Sequence, residues 1–154
     1  MKRRNCSLNP AGAVLRCERQ IVPHNVQTKN EPMNPADLFA DAADAVNLSP
    51  GAVLFHEGEA GSEMFILIQG MVDIVVGGNT VETAMRGALI GEMALIEQAP
   101  RAATVIAKTA CRLARVDQRR FLSLIRENPE FAAHLMKVLV DRLREMNRRL
   151  SKAA

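Results

Sequence analysis

The feature that most limits what this chain can fold into is a change of hydrophobic period. From residue 52 to residue 116 apolar side chains recur every second position in short runs, at 52–56, 63–69, 71–76, 80–85, 104–107 and 112–116. This is the alternation of half-buried strands. Turn-forming residues separate the runs: Glu57-Gly58-Glu59-Ala60-Gly61, Gly70, Gly77-Gly78-Asn79 and Arg86-Gly87. No helix of ordinary length fits between them, which excludes a parallel α/β sheet. Many short strands at close spacing point to a barrel or a sandwich.

Helical signals bracket this region. Asn34-Pro35 is an N-cap followed by proline at the first helical position. Ala36, Leu38, Phe39, Ala42, Ala43 and Val46 follow at helical spacing, so a helix is expected from residue 34 until Ser49-Pro50-Gly51 breaks it. Asp117 is positioned to cap a helix over 118–127, and Asn128-Pro129 opens a long one to about Leu150. On that helix Met136, Leu139, Leu143, Met146 and Leu150 are spaced by three and four residues, as in a heptad seam. Leu135 and Val138 widen its apolar face. One small barrel cannot easily bury both stripes. The expectation is that one faces the barrel and the seam pairs with a second copy, giving a homodimer.

Composition narrows the class. The 154 residues suffice for one domain, and 48% hydrophobic residues suffice for a core. The longest unbroken apolar run, Met64-Phe65-Ile66-Leu67-Ile68, is far short of the about twenty residues that span a bilayer. Aromatics make up 3%, with no Trp and no Tyr, which disfavours binding of single-stranded nucleic acid by base stacking. Residues 1–34 carry six basic and two acidic side chains, whereas residues 35–154 carry fourteen and fifteen. The net charge of +3 therefore comes from the amino-terminal arm. Residues 1–33 hold Pro10, Pro23 and Pro32 and show no period; they read as a disordered basic arm, a solvated tail before a domain over 34–154. Met33 directly precedes the first helix signal and is a candidate natural start. Cys6, Cys17 and Cys111 are an odd number, against a disulfide framework, and the setting reads as cytoplasmic. His24, His56 and His134 lack ligand spacing, so no metal site is expected. No nucleophile stands beside a base, and no phosphate-cradling glycine loop of the Walker type is present.

The stretch that carries chemistry is 91–104. Gly91 follows apolar Leu89-Ile90 and precedes a helix-forming run too short for a full helix. Glycine there lets a ligand approach the backbone, and the amides that open such a turn favour an anion. Arg101 returns ten residues later, and its fork can grip two phosphate oxygens. Small Ala102 and Ala103 leave room beside it and free a further N–H. Glu92 would repel a phosphate but suits a ribose hydroxyl. The set fits a phosphorylated sugar with a free hydroxyl close by. In a 3′,5′-cyclic nucleotide the 2′-OH is the only free ribose hydroxyl. A single Glu or Arg in a loop would mean little, since exposed pairs contribute about 0–1 kcal/mol; the ordered constellation is far more specific.

This stretch resembles the phosphate-binding cassette of the cyclic nucleotide-binding domain family, and the resemblance extends over residues 35–150. Gly51, Glu57, Gly58, Gly61, Met64, Ile68, Gly70 and Val72 match the family's early glycine-marked strands. Ala107-Lys108-Thr109-Ala110-Cys111 and Asn128-Pro129 are similar to the catabolite activator protein branch. The resemblance implies a mainly β fold: an eight-stranded jelly-roll, or double-stranded β-helix, barrel with one amino-terminal helix and a two-helix carboxy-terminal lid. It implies that Gly91 and Glu92 hold the ribose, that Arg101 and the Ala102 amide hold the phosphate, and that Ile74, Val81 and Met93 line the base pocket.

The sequence departs from that branch in two ways. Hydroxyl side chains on the long helix hold adenine there; the matching positions here are Met146, which can only pack, and Asn147, which could bond a base edge. The branch also carries a helix-turn-helix after the long helix, and no such segment follows Leu150 in this sequence. Arg142, Arg144, Arg148, Arg149 and Lys152 read as the solvated face of the helix. Ala102, where the kinase branch has Thr when it prefers cGMP, points to cAMP. The expectation is a cytoplasmic, non-enzymatic sensor of a cyclic nucleotide, with no cofactor, signalling through its carboxy-terminal helix to an effector protein. The rivals are the sensor part of a transcription regulator and a ligand-free interaction module on the same fold.

Overall fold

The run Met64-Phe65-Ile66-Leu67-Ile68 marks the centre of the molecule. A strand turns successive side chains to opposite faces, so an unbroken apolar run needs cover on both. In the computed structural model, which describes residues 32–153, this run lies in β3 (Glu63–Gln69). Met64, Ile66 and Ile68 enter one core with Phe39, Leu95, Phe121, Phe131 and Leu135. Phe65 and Leu67 enter a second with Phe55, Val72, Ile90, Val105 and Leu113.

The first core lies between a sheet and the helices, the second between two sheets. The other strands are β1 (Val46–Leu48), β2 (Val53–Phe55), β4 (Val72–Val76), β5 (Asn79–Ala84), β6 (Leu89–Ile90), β7 (Thr104–Ala107) and β8 (Cys111–Asp117). They form two four-stranded sheets in the orders β1-β8-β3-β6 and β2-β7-β4-β5, with antiparallel pairing throughout. Helix α1 (Glu92–Glu97) interrupts the strands, and α2 (Gln118–Glu127) and α3 (Pro129–Ala153) follow them. None of these helices is long and apolar enough to cross a membrane. Cys111 is buried, with its thiol 3.0 Å from the Met71 carbonyl oxygen.

The six expected strands are present, shifted by at most one residue at either end, and β1 and β6 were not foreseen. The amino-terminal helix is corrected. Asn34 does cap it, accepting from the Ala36 N–H at 3.0 Å, but only one 3-10 turn forms, Pro35–Phe39. Val46 fits the helical period by coincidence. It is held in β1 opposite Leu113, where strand pairing replaces the helical bonds it would have made. Of the arm expected over residues 1–33, residues 1–31 lie outside the described residues.

Helices α2 and α3 meet through an edge-on pair, Phe121 and Phe131, with ring centroids 6.3 Å apart. Phe131 is fully buried, at the point where Asn128-Pro129 turns the chain. Phe131→Ala is expected to destabilise the domain by about 3–5 kcal/mol, measured by urea unfolding. A loss of less than about 1 kcal/mol would show that α3 contributes little to the core.

Candidate functional site

Two loops meet where the expected site residues lie. Strand β6 ends at Gly91, whose φ of 76° is left-handed. A side chain there would be strained by that angle and would meet the Phe55 ring at 3.3 Å. After α1, residues 98–103 return to β7. The turn after β2 holds this return: the Arg101 N–H donates to the Glu59 carbonyl, and the Gly58 N–H donates to the Arg101 carbonyl, each at 2.8 Å.

The Arg101 guanidinium is thereby swung inward and is only 6% exposed. It lies over the Phe55 ring, 4.1 Å from the centroid. Nη1 donates to the carbonyls of Glu63 at 2.7 Å and Gly91 at 3.2 Å. Glycine at 61 makes room for this placement, because a Cβ there would overlap the guanidinium and force it to move. Among the described residues no carboxylate pairs with Arg101, and its buried Nε has no partner. Burial lowers its pKa, opposed by the charges of Glu63 and Glu59. An arginine nonetheless stays protonated. A buried cation with an unmet donor is costly unless something anionic completes it.

That something has room. Arg101 borders a cavity of about 750 Å³. Gly91, Ala102 and Ala103 share its wall, and Ile74, Val81 and Met93 form an apolar side. Glu92 lines it too, although only 2% of its surface is exposed. The Glu92 carboxylate is paired with Arg142 of α3 through Oε1 and Nη1. Arg142 also donates from Nη2 to the Leu89 carbonyl at 3.0 Å and faces Glu82 at 3.4 Å. Burial lowers the Arg142 pKa, but the charges and hydrogen bonds of Glu92 and Glu82 outweigh it and leave the pKa raised.

Comparison with known proteins agrees with this geometry. Residues 45–128 match the family model for the cyclic nucleotide-binding domain. The chain belongs to that family. It is 34% identical over 89 residues to a cAMP-dependent protein kinase regulatory subunit of Aspergillus niger, covering 56% of this chain and 22% of that protein. The chain therefore spans about a fifth of the curated relatives it matches. Among solved structures, the catabolite activator protein of Thermus thermophilus is 27% identical with a TM-score of 0.63, covering 74% of this chain and 61% of that one. A chain described with a cyclic-GMP-dependent signalling pathway that regulates bacterial phytopathogenesis is 26% identical with a TM-score of 0.57, covering 64% and 82%.

In this cyclic nucleotide-binding domain eight of the nine candidate ligand residues line the one cavity. Asn147 is the exception and is corrected. It follows Met146, which does line the cavity, and one step along a helix turns the side chain by about 100°. The basic run on α3 is also corrected, because Arg142 is engaged with the sheet rather than solvated, and Arg149, though half exposed, donates to the Val81 carbonyl. The signal for Arg142 was its register. It lies four residues after Val138 and seven after Leu135, on the inward face. Of the seam residues, Met136, Leu143, Met146 and Leu150 are each more than half exposed, whereas Leu139 packs against the first core.

Removing Arg142 would leave the Glu92 carboxylate buried and unpaired. Arg142→Ala is expected to cost about 3 kcal/mol of stability in urea unfolding, and adding Glu92→Gln should recover part of it. If the double variant is no more stable than the single one, the pair does not hold α3 to the sheet.

Proposed function

We propose that this domain is a non-enzymatic regulatory sensor whose ligand is a 3′,5′-cyclic nucleotide. The observation that carries the reading is the Arg101 guanidinium: buried, without a carboxylate partner among the described residues, and at the wall of a cavity of nucleotide size. A monoanionic cyclic phosphate would satisfy it, together with the Ala102 N–H. Gly91 and Glu92 would take the ribose, with the 2′-OH donating to the Glu92 carboxylate. The base would lie along Ile74, Val81 and Met93. The kinase relatives and Ala102 favour cAMP.

Arg142 joins ligand to output. It ties α3 to Glu92, so a ligand that orders Glu92 favours the docked position of α3 over others. The exposed stripe Met136, Leu143, Met146 and Leu150 would pair with a second copy, and the moving helix would act on an effector protein in the cytoplasm. A transcription-regulator reading draws on the likeness to the Thermus thermophilus catabolite activator protein, and a gel shift with random duplex at physiological salt separates it from the first. A buried Arg101 without a carboxylate partner among the described residues, at the wall of the cavity, argues against a ligand-free module.

Calorimetry with Arg101→Ala should show a loss of about 1.5–3 kcal/mol or more in cyclic nucleotide binding. Arg101→Lys should also bind poorly, since the fork is lost. Binding at parental strength would refute the phosphate assignment, and a 2′-deoxy ligand binding at full strength would remove the Glu92 role. In sedimentation experiments the parent should be a dimer and Leu143→Glu a monomer; a monomeric parent would end the seam reading.

A further inference from the structure

Any anion that enters the cavity has two rivals for Arg101. The charges of Glu63 and Glu59 act on the guanidinium, yet neither carboxylate is paired with it. The Glu63 carboxylate is met by Arg115 at 3.3 Å. Glu59 is exposed and forms no ion pair among the described residues. The backbone holds it beside Arg101, whose N–H donates to the Glu59 carbonyl at 2.8 Å. A guanidinium bonds a carboxylate more strongly than it bonds neutral carbonyls. Something must therefore keep Arg101 off Glu59.

Phe55 is placed to do so. Strand β2 shifts register between Val53 and Phe55, an irregularity of the kind that re-aims a side chain, and Phe55 stands in the cavity wall with Arg101. Its ring centroid is 4.1 Å from the guanidinium carbon, and that of Phe65 is 5.9 Å away. The two rings are 6.1 Å apart, and both are buried. A ring face attracts a cation most strongly where water is excluded. An aliphatic side chain would fill the same space and offer the cation no such attraction.

We infer that Phe55 is a positioning residue that decides between two partners of Arg101, holding its guanidinium at the cavity wall for the cyclic phosphate and away from the Glu59 carboxylate. This rests on the cyclic nucleotide reading above. In the free domain the ring favours the inward position. Without it Arg101 turns to Glu59, and the phosphate must displace that carboxylate before it binds. Apparent affinity falls in proportion to the fraction of molecules whose Arg101 is inward. Phe55 thus raises affinity without itself bonding the phosphate.

Calorimetry of the full chain with cAMP and cGMP tests this. Phe55→Leu keeps an apolar side chain and should weaken binding of both nucleotides about tenfold, on the scale of a desolvated cation–ring contact. Adding Glu59→Gln to Phe55→Leu should restore most of the lost affinity. The same change in the parent should raise affinity far less, because the ring already keeps the carboxylate away. A defect of packing alone would not be repaired at Glu59. A second series leaves the shape of the side chain almost unchanged: phenylalanine carrying one, two or three ring fluorines at position 55, which progressively drain the negative face of the ring. Binding should weaken stepwise along it, with thermal melts showing that each protein folds. Parental binding by Phe55→Leu, a loss that Glu59→Gln fails to restore, or a flat fluorine series overturns the inference and leaves the cyclic nucleotide reading standing. A parent that binds neither nucleotide overturns both readings.

Discussion

A guanidinium held away from water with no carboxylate paired to it is the constraint around which the domain is arranged. Arg101 carries its charge at any ordinary pH, so the fold must stabilise that charge by other means. It uses the face of Phe55 and the carbonyls of Glu63 and Gly91. Each has a sequence consequence. The aromatic must lie on β2, the backbone must approach closely at Gly61, and the chain must turn with positive φ at Gly91. These are dipole and quadrupole contacts, weaker than an ion pair. They hold the group in place and leave it incompletely satisfied, which is the condition for binding an anion rather than burying one permanently.

The second buried charge is handled in the opposite way. Glu92 is tied directly to Arg142, a residue fifty positions later on a different element. A buried pair of this kind gains little over an apolar pair of the same shape, but breaking it is expensive. Its consequence is positional. While α3 is docked, Glu92 has its partner; if α3 moves, a carboxylate is stranded inside the protein. The site and the helix are thereby coupled through one interaction, without a long pathway of intermediates.

Most strands and both carboxy-terminal helices were legible because their signals are local: period, caps and turn glycines. β1 and β6 were not, since three and two residues are too short to show a period. The first helix failed because Val46 fits two periods and strand pairing with Leu113 decided between them. In the site, Gly91, Glu92, Arg101 and Ala102 lie within twelve residues and could be read together. Arg142 could not be read that way. Its register with Leu135 and Val138 sets it apart from solvated neighbours such as Arg144 and Arg148, but its partners lie on β5, β6 and α1, and only the tertiary fold brings them to it. Asn147 illustrates the same limit from the other side. Along a helix adjacent positions face different environments, and placing the ligand-facing residue one step off changes its whole surroundings.

Helix α3 serves three surroundings at once. Phe131, Leu135 and Leu139 pack on the first core; Val138, Arg142 and Glu145 turn toward the cavity; Met136, Leu143 and Leu150 stay exposed. The first two groups follow one another along a single inward face, and the exposed residues lie on the face beside it. Met146 stands at the boundary between these two faces, lining the cavity while more than half exposed. A second copy seated on the exposed sector would therefore change the surroundings of a residue that also faces the ligand. Any rotation of α3 that improved one sector would disturb the others, because packed interfaces shift between discrete arrangements rather than deform gradually. On the proposed sensor reading, a helix so placed would report occupancy of the cavity at a distance with no part of the ligand leaving the pocket.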